Sequence, residues 1–167
     1  MLDRDAVGSE ARAADLGIEA PEPVARDEAE AARERHVHLG SAEFRECYVC
    51  GHRVTSDGLA IHVGGVRGRE PLHAAPWTPI EAAPEIVWAA IDCPGAYAVG
   101  AAGRGEVVLG RMTASVYRLP NVGEPCVVVT AWPLGEDGRK LLAGTALHTA
   151  EGELLALARQ TWIAPRV

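Results

Sequence analysis

Hydrophobic and polar positions divide the chain into a polar N-terminal third and an apolar remainder. Residues 1–25 are rich in Ala, Glu, Asp and Pro and show no apolar period, which predicts a flexible or loosely docked arm. Arg26–His36 (RDEAEAARERH) can form a polar surface helix, but a solvated charge run is the simpler reading. Gly58–Val63 (GLAIHV) alternates and predicts a first strand, and Gly64–Pro79 reads as a loop. Pro84–Gly100 (PEIVWAAIDCPGAYAVG) is almost wholly apolar, so a helix there can be buried nearly all round. Its alanines and its length favour helix over strand. Pro84 and Glu85 suit a helix start, and Pro94-Gly95 ends or kinks the helix just after Asp92. Four strand candidates follow: Glu106–Leu119, Cys126–Pro133, Leu141–Thr149 and Glu153–Ile163. They are separated by turn signals at Pro120–Gly123, Gly135–Gly138 and Glu151-Gly152.

One strand, one long helix and an unbroken meander of four antiparallel strands predict an α+β domain whose sheet is covered by a single helix. The division expected is an acidic arm over residues 1–40 and a folded domain over residues 41–167. At 167 residues this is enough chain for one core without metal or disulfide staples.

Charge sharpens the division. Of the formal net charge of −7, residues 1–35 carry −5, so the folded part is close to neutral. With no basic stripe, no nucleic-acid partner is expected. No apolar run is long enough to span a membrane, and MLDRDAVGSE lacks the apolar region of a signal peptide, so the expected location is cytoplasmic. Cys47, Cys50, Cys93 and Cys126 are then expected as thiols.

The candidate chemistry centres on Asp92, a carboxylate amid Ala90, Ile91 and Cys93. Burial raises the pKa of such a group and suits it to act as a general base. Cys47-x-x-Cys50-Gly51-His52 is half of a zinc motif, with His36, His38, His52 or His62 available to complete it; two reduced thiols in a tight glycine turn is the simpler reading, and no metal is expected. Cys93, with no histidine near it in sequence, reads as a small packing residue. Asp57 and His62 have a D-x-x-x-x-H spacing. Arg139 and Lys140 follow a turn glycine, where they can bind phosphates or protect a strand edge. Trp88, one turn before Asp92, can line a pocket or pack in the core.

Several stretches resemble the hotdog-fold thioesterase superfamily, its largely uncharacterised actinobacterial members most of all: CYVCG (Cys47–Gly51), DGLAI (Asp57–Ile61), VWAAIDCPGAYA (Val87–Ala98), VLGRMTASV (Val108–Val116), GEPCVVVTAWPL (Gly123–Leu134), GRKLLAGTAL (Gly138–Leu147) and GELLALARQTWI (Gly152–Ile163). The resemblance implies a hotdog fold, an antiparallel sheet wrapped around one long central helix. It also implies a homodimer or homotetramer that hydrolyses an acyl-CoA or acyl-carrier thioester without metal or organic cofactor. A branch similar to the phenylacetyl-CoA thioesterases carries HGG-x-x-x-x-x-D at the helix start. On this chain its aspartate falls at Asp92, its histidine at Pro84 and its glycines at Glu85 and Ile86. By that resemblance Asp92 is the catalytic residue. The helix-start N–H groups near Glu85 and Ile86 then face the thioester carbonyl; beside the resemblance, Trp88 is a candidate for the acyl pocket and Arg139 and Lys140 for the phosphates. Two alternatives stand beside it: a non-catalytic acyl-CoA-binding hotdog protein, suggested by the lost HGG, and a hotdog enoyl-CoA hydratase using Asp57 and His62.

Overall fold

The computed structural model describes residues 16–39, 42–52, 57–124 and 127–166. The first fifteen residues, residues 53–56 and Cys126 lie outside the described residues. Five helices and six strands are described. Helices α1 (Arg26–Arg33) and α2 (Ala42–Arg45) precede strands β1 (Gly64–Gly65) and β2 (His73–Trp77). Helices α3 (Pro84–Ala90), α4 (Pro94–Ala98) and α5 (Ala101–Arg104) come next. Strands β3 (Val108–Val116), β4 (Val127–Asp137), β5 (Lys140–His148) and β6 (Leu154–Ile163) complete the chain.

The six strands form one sheet in the order β1-β2-β4-β5-β6-β3, with every neighbouring pair antiparallel. Three sequence expectations are corrected here. The last four strands are not an unbroken meander: β4, β5 and β6 are, but β3 pairs with β6 at the sheet edge, Val108 opposite Ile163. The connection after β3 runs from residue 117 to 126, too long for the two-residue turns that fix a hairpin, so adjacency in sequence does not impose pairing.

Gly58–Val63 is not a strand. Leu59, Ile61 and Val63 do point inward, and the Leu59 and Ile61 N–H groups donate to Tyr48 O and Val49 O at 2.7 and 2.8 Å. Ala60 between them has φ 51°, a left-handed conformation that interrupts an extended run. The supposed loop 64–79, conversely, holds β1 and β2, and β2 lies against β4 from His73↔Ala131 to Trp77↔Val127. Pro76 sits in the half of β2 that β1 does not reach, an edge where a residue without an N–H is tolerated.

The third correction concerns the central helix expected over Pro84–Gly100, which is two short helices, α3 and α4, rather than one long one, and is not buried all round. Val87, Ala90 and Ile91 are fully covered, while Glu85 and Trp88 are exposed, Trp88 at 39%. Proline 94 has no N–H to give to Ala90 O, so the α-helical ladder stops and α4 restarts at Pro94. The buried side of these helices meets Val129, Leu141, Leu147, Leu155 and Trp162 of the sheet in the main core.

A second, smaller cluster lies beneath α1, where Ala29 and Ala32 are fully buried with Val24, Val66, Leu72 and Val128. Leu16 packs on Ala146 and Leu157 in a third. On the open side of α1, Arg26 pairs with Glu30 at 2.7 Å. The fit of α1 over β1 depends on Gly64, because a Cβ there would run into the backbone carbonyl of Ala32. Gly64→Ala is expected to displace α1 and to cost about 1–3 kcal/mol, read as a lower denaturant midpoint.

Candidate functional site

The break between α3 and α4 leaves backbone carbonyls to be satisfied, and the sheet satisfies them. The Gly95 N–H donates to Asp92 O at 3.2 Å rather than to Ile91 O one residue earlier. Ile91 O instead accepts from Thr145 Oγ1 of β5 and Gln160 Nε2 of β6, both at 2.7 Å, and Gln160 Nε2 also reaches Asp92 O at 3.0 Å. Thr145 and Gln160 are fully buried, so these bonds lie away from competing water. Gln160 Oε1 in turn accepts from Trp162 Nε1 at 2.7 Å. Residues 160 and 162 project from the same face of β6, as alternate strand residues do. The backbone of Asp92 is thereby fixed from the sheet side. Sequence reading passed over Gln160 and Thr145; a glutamine spaced two residues from Ala158 and from Trp162, on the apolar face of a strand, was the available signal.

The Asp92 side chain is half-buried. Burial, and secondly the charge of Cys47, push its pKa up to about 6 from an ordinary 3.8. It follows Trp88 by four residues and Glu85 by seven, a spacing that continues the open stripe of α3. Ile86 is partly buried, and its N–H already donates to Ala83 O at 3.1 Å, so a ligand carbonyl would have to replace that bond.

Arg139 and Lys140 are not beside this group. Both are exposed at the β4–β5 turn, Lys140 paired with Asp137 at 3.3 Å and Arg139 Nε donating to Ala164 O at 3.1 Å. Lys140 stands five residues along β5 from Thr145, about 17 Å away along the strand.

Cysteine 93 proves to be more than a helix-packing residue. It meets the Cys47-x-x-Cys50 turn: the three sulfurs lie within 4.8 Å of one another, with Cys47 Sγ and Cys93 Sγ 3.4 Å apart. The Cys47 thiol is held far below the ordinary range, to about 2, by hydrogen bonds from Cys50 first and Cys93 second. The Cys50 thiol is pushed up to about 11 in return. Beside this trio lies a cleft of about 300 Å³ lined by His38, Phe44, Cys50, His52 and Tyr97 among others; Asp92 is not in its wall.

Four histidines gather near the same cleft. The His52 and His62 rings stack at 4.2 Å, His38 meets His52 at 4.1 Å, and His36 lies 4.9 Å from His38, His62 and Tyr97. Nε2 of both His36 and His62 is buried without a partner. Burial first, and then the neighbouring His52 and His36, lower the His62 pKa to about 4; burial also lowers that of His36. Arg33 adds to the depression at His62. Asp57, the other half of the D-x-x-x-x-H spacing, is exposed.

These shifts have a sign. The folded pKa of His62 lies below the unfolded value near 6.5, so the unfolded chain takes up the proton first and stability falls with falling pH. The contribution is complete above about pH 6.5 and is lost on the way to about pH 4. Given partial exposure, on the order of 1 kcal/mol is expected from His62, and His62→Gln should flatten the decline in melting temperature over that window.

A six-stranded antiparallel sheet with α3 and α4 packed on the face of Ala75, Val129 and Leu147, α1 on the opposite face with Ala74 and Val128, and the carboxylate at the break between α3 and α4, is a hotdog fold. Solved structures of that kind match the chain. One is the E. coli PaaI protein from the phenylacetic acid degradation operon, with a TM-score of 0.58 at 15% identity over 69% of this chain and 86% of that one. Another is zebra fish thioesterase superfamily member 2, with a TM-score of 0.54 at 18% identity over 63% and 81%. A thioesterase superfamily protein from Shewanella loihica PV-4 gives 0.51 at 15% identity over 64% and 91%. At such identities the likeness is one of fold. No protein-family model matches the sequence, and no curated protein matches it. Among the described residues no helix is long and apolar enough to cross a membrane.

Proposed function

We propose that the chain hydrolyses an acyl-CoA or acyl-carrier thioester, with Asp92 as the base that activates water. The observation that carries the reading is a half-buried carboxylate at the break between α3 and α4 of a hotdog fold, its backbone clamped by Gln160. A carboxylate with a pKa lifted to about 6 is still ionised at neutral pH, yet it accepts a proton more readily than an exposed one. It takes a proton from water as the oxygen attacks the thioester carbonyl. The tetrahedral oxyanion then collapses, the C–S bond breaks, and the proton passes to the departing thiolate. Products are a carboxylic acid and a free thiol.

The acyl chain is assigned to the open side of α3, along Trp88 and past Glu85 and Ile86. The distant Arg139 and Lys140 are assigned to the phosphates of an extended ligand. Trp88 lies exposed on the single chain, which supports a second copy covering this face, in a homodimer or homotetramer. A cytoplasmic location belongs to the same reading.

Product analysis tests the reaction class. Incubation with saturated and 2,3-unsaturated acyl-CoAs, followed by mass spectrometry, is expected to yield free CoA and the acid from both. A hydrated acyl-CoA formed only from the unsaturated substrate, and abolished by Asp57→Asn, would replace hydrolysis with hydration. Binding without any product would leave an acyl-CoA-binding protein.

A further inference from the structure

We propose that Cys47, Cys50 and Cys93 bind one soft divalent cation, Zn²⁺ above all, through three thiolates. This departs from the expectation of a metal-free chain, and it stands independently of the proposed thioester chemistry. The sulfurs come from two elements far apart in sequence. A tetrahedral site with Zn–S bonds of about 2.3 Å places sulfurs about 3.8 Å apart. The Cys47–Cys93 separation of 3.4 Å, and the mutual limit of 4.8 Å for all three, bracket that value.

Both elements are built to hold their thiols still. Cys47–Gly51 is a tight turn closed by the Gly51 N–H donating to Cys47 O at 2.9 Å. A Cβ on Gly51 would run into the carbonyls of Cys47 and Arg45, so the turn needs glycine there. Cys50 is buried, and it shares the wall of the adjoining cleft with Gly51 and Tyr97. Cys93 is held from the other side, since Gln160 and Thr145 bond the carbonyls of the two residues before it. Packing alone does not call for three thiols in contact, two of them only half-buried.

Among the described residues no fourth Cys, His, Asp or Glu atom joins the group, which leaves the fourth position to water. Loading a cation releases the thiol protons to solvent, so binding weakens as pH falls. The ion would tie the Cys47–Gly51 turn to the helix break that carries Asp92.

The test uses the full chain, reduced, with metal content measured by plasma mass spectrometry and Zn²⁺ titrated against a chromophoric chelator. One Zn²⁺ per chain is expected, and Co²⁺ in its place should give thiolate-to-cobalt charge-transfer bands. Cys93→Ser should lose more affinity than the roughly 10–100-fold that removal of an outer-shell partner costs. Cys47→Ser, on the surface turn, gives the same reading should Cys93→Ser not fold. Failure of the folded wild type to take up Zn²⁺, or undiminished uptake by both variants, overturns the proposal. So does a Cys47–Cys93 disulfide found by mass mapping in the reduced preparation.

Discussion

Gln160→Leu is expected to destabilise the chain by about 3–5 kcal/mol, near the upper end for one substitution. Leucine fills much of the same volume, so the loss is polar rather than a cavity. The substitution strips the Trp162 indole N–H of its acceptor, removes a second donor from Ile91 O and takes the side-chain donor from Asp92 O. Gln160 is fully buried and Trp162 nearly so; the indole N–H left without a partner costs about 1–3 kcal/mol, and each bond lost from Ile91 O and Asp92 O, which keep Thr145 and the Gly95 N–H, about 0.5–1.5 kcal/mol. In a chain of this length such a loss lowers the melting temperature by roughly 10 °C. A melting temperature within a degree or two of wild type would show that the Gln160 bonds do not hold the helix break. If they do, kcat should also fall below the melting range, because Asp92 loses its fixed backbone.

Asp92→Asn is expected to act in the opposite pattern, removing activity and sparing the fold. Asparagine is isosteric and leaves the Asp92 carbonyl bond to Gln160 untouched. It removes the base, and a positioned base contributes about 10²–10⁴-fold to rate. Burial disfavours the Asp92 carboxylate, as its raised pKa records, so a neutral amide relieves that cost. The melting temperature should stay level or rise while thioester turnover disappears. A merely structural aspartate gives the reverse, stability lost along with activity.

Much of this fold could be read from one sequence, and the misses have physical causes. The strands β3 to β6 were legible because β-branched and apolar runs end at Gly and Pro turns. Strand β2, with the sequence HAAPW, was not, because two alanines and a proline carry no strand preference. It owes its form to pairing with Val127–Ala131 at an edge. The GLAIHV alternation named the right inward residues, but backbone geometry at Ala60 is a tertiary outcome. Asp92 was visible as a carboxylate in the middle of an apolar stretch, seven residues past the Glu85 at its start. Its support was not, since Gln160 lies 68 residues away and only the folded sheet brings it under the helix break. The same holds for Cys93, 46 residues beyond Cys47, where spacing shows two cysteines and the fold shows three.

The central claim, that Asp92 drives thioester hydrolysis, is tested most directly by free-thiol release. Wild type and Asp92→Asn would be compared on short, aromatic and long acyl-CoAs at neutral pH. Turnover of at least one substrate by wild type, lost in the variant, is the predicted result. Equal turnover by both, or none by wild type across the panel, would contradict it.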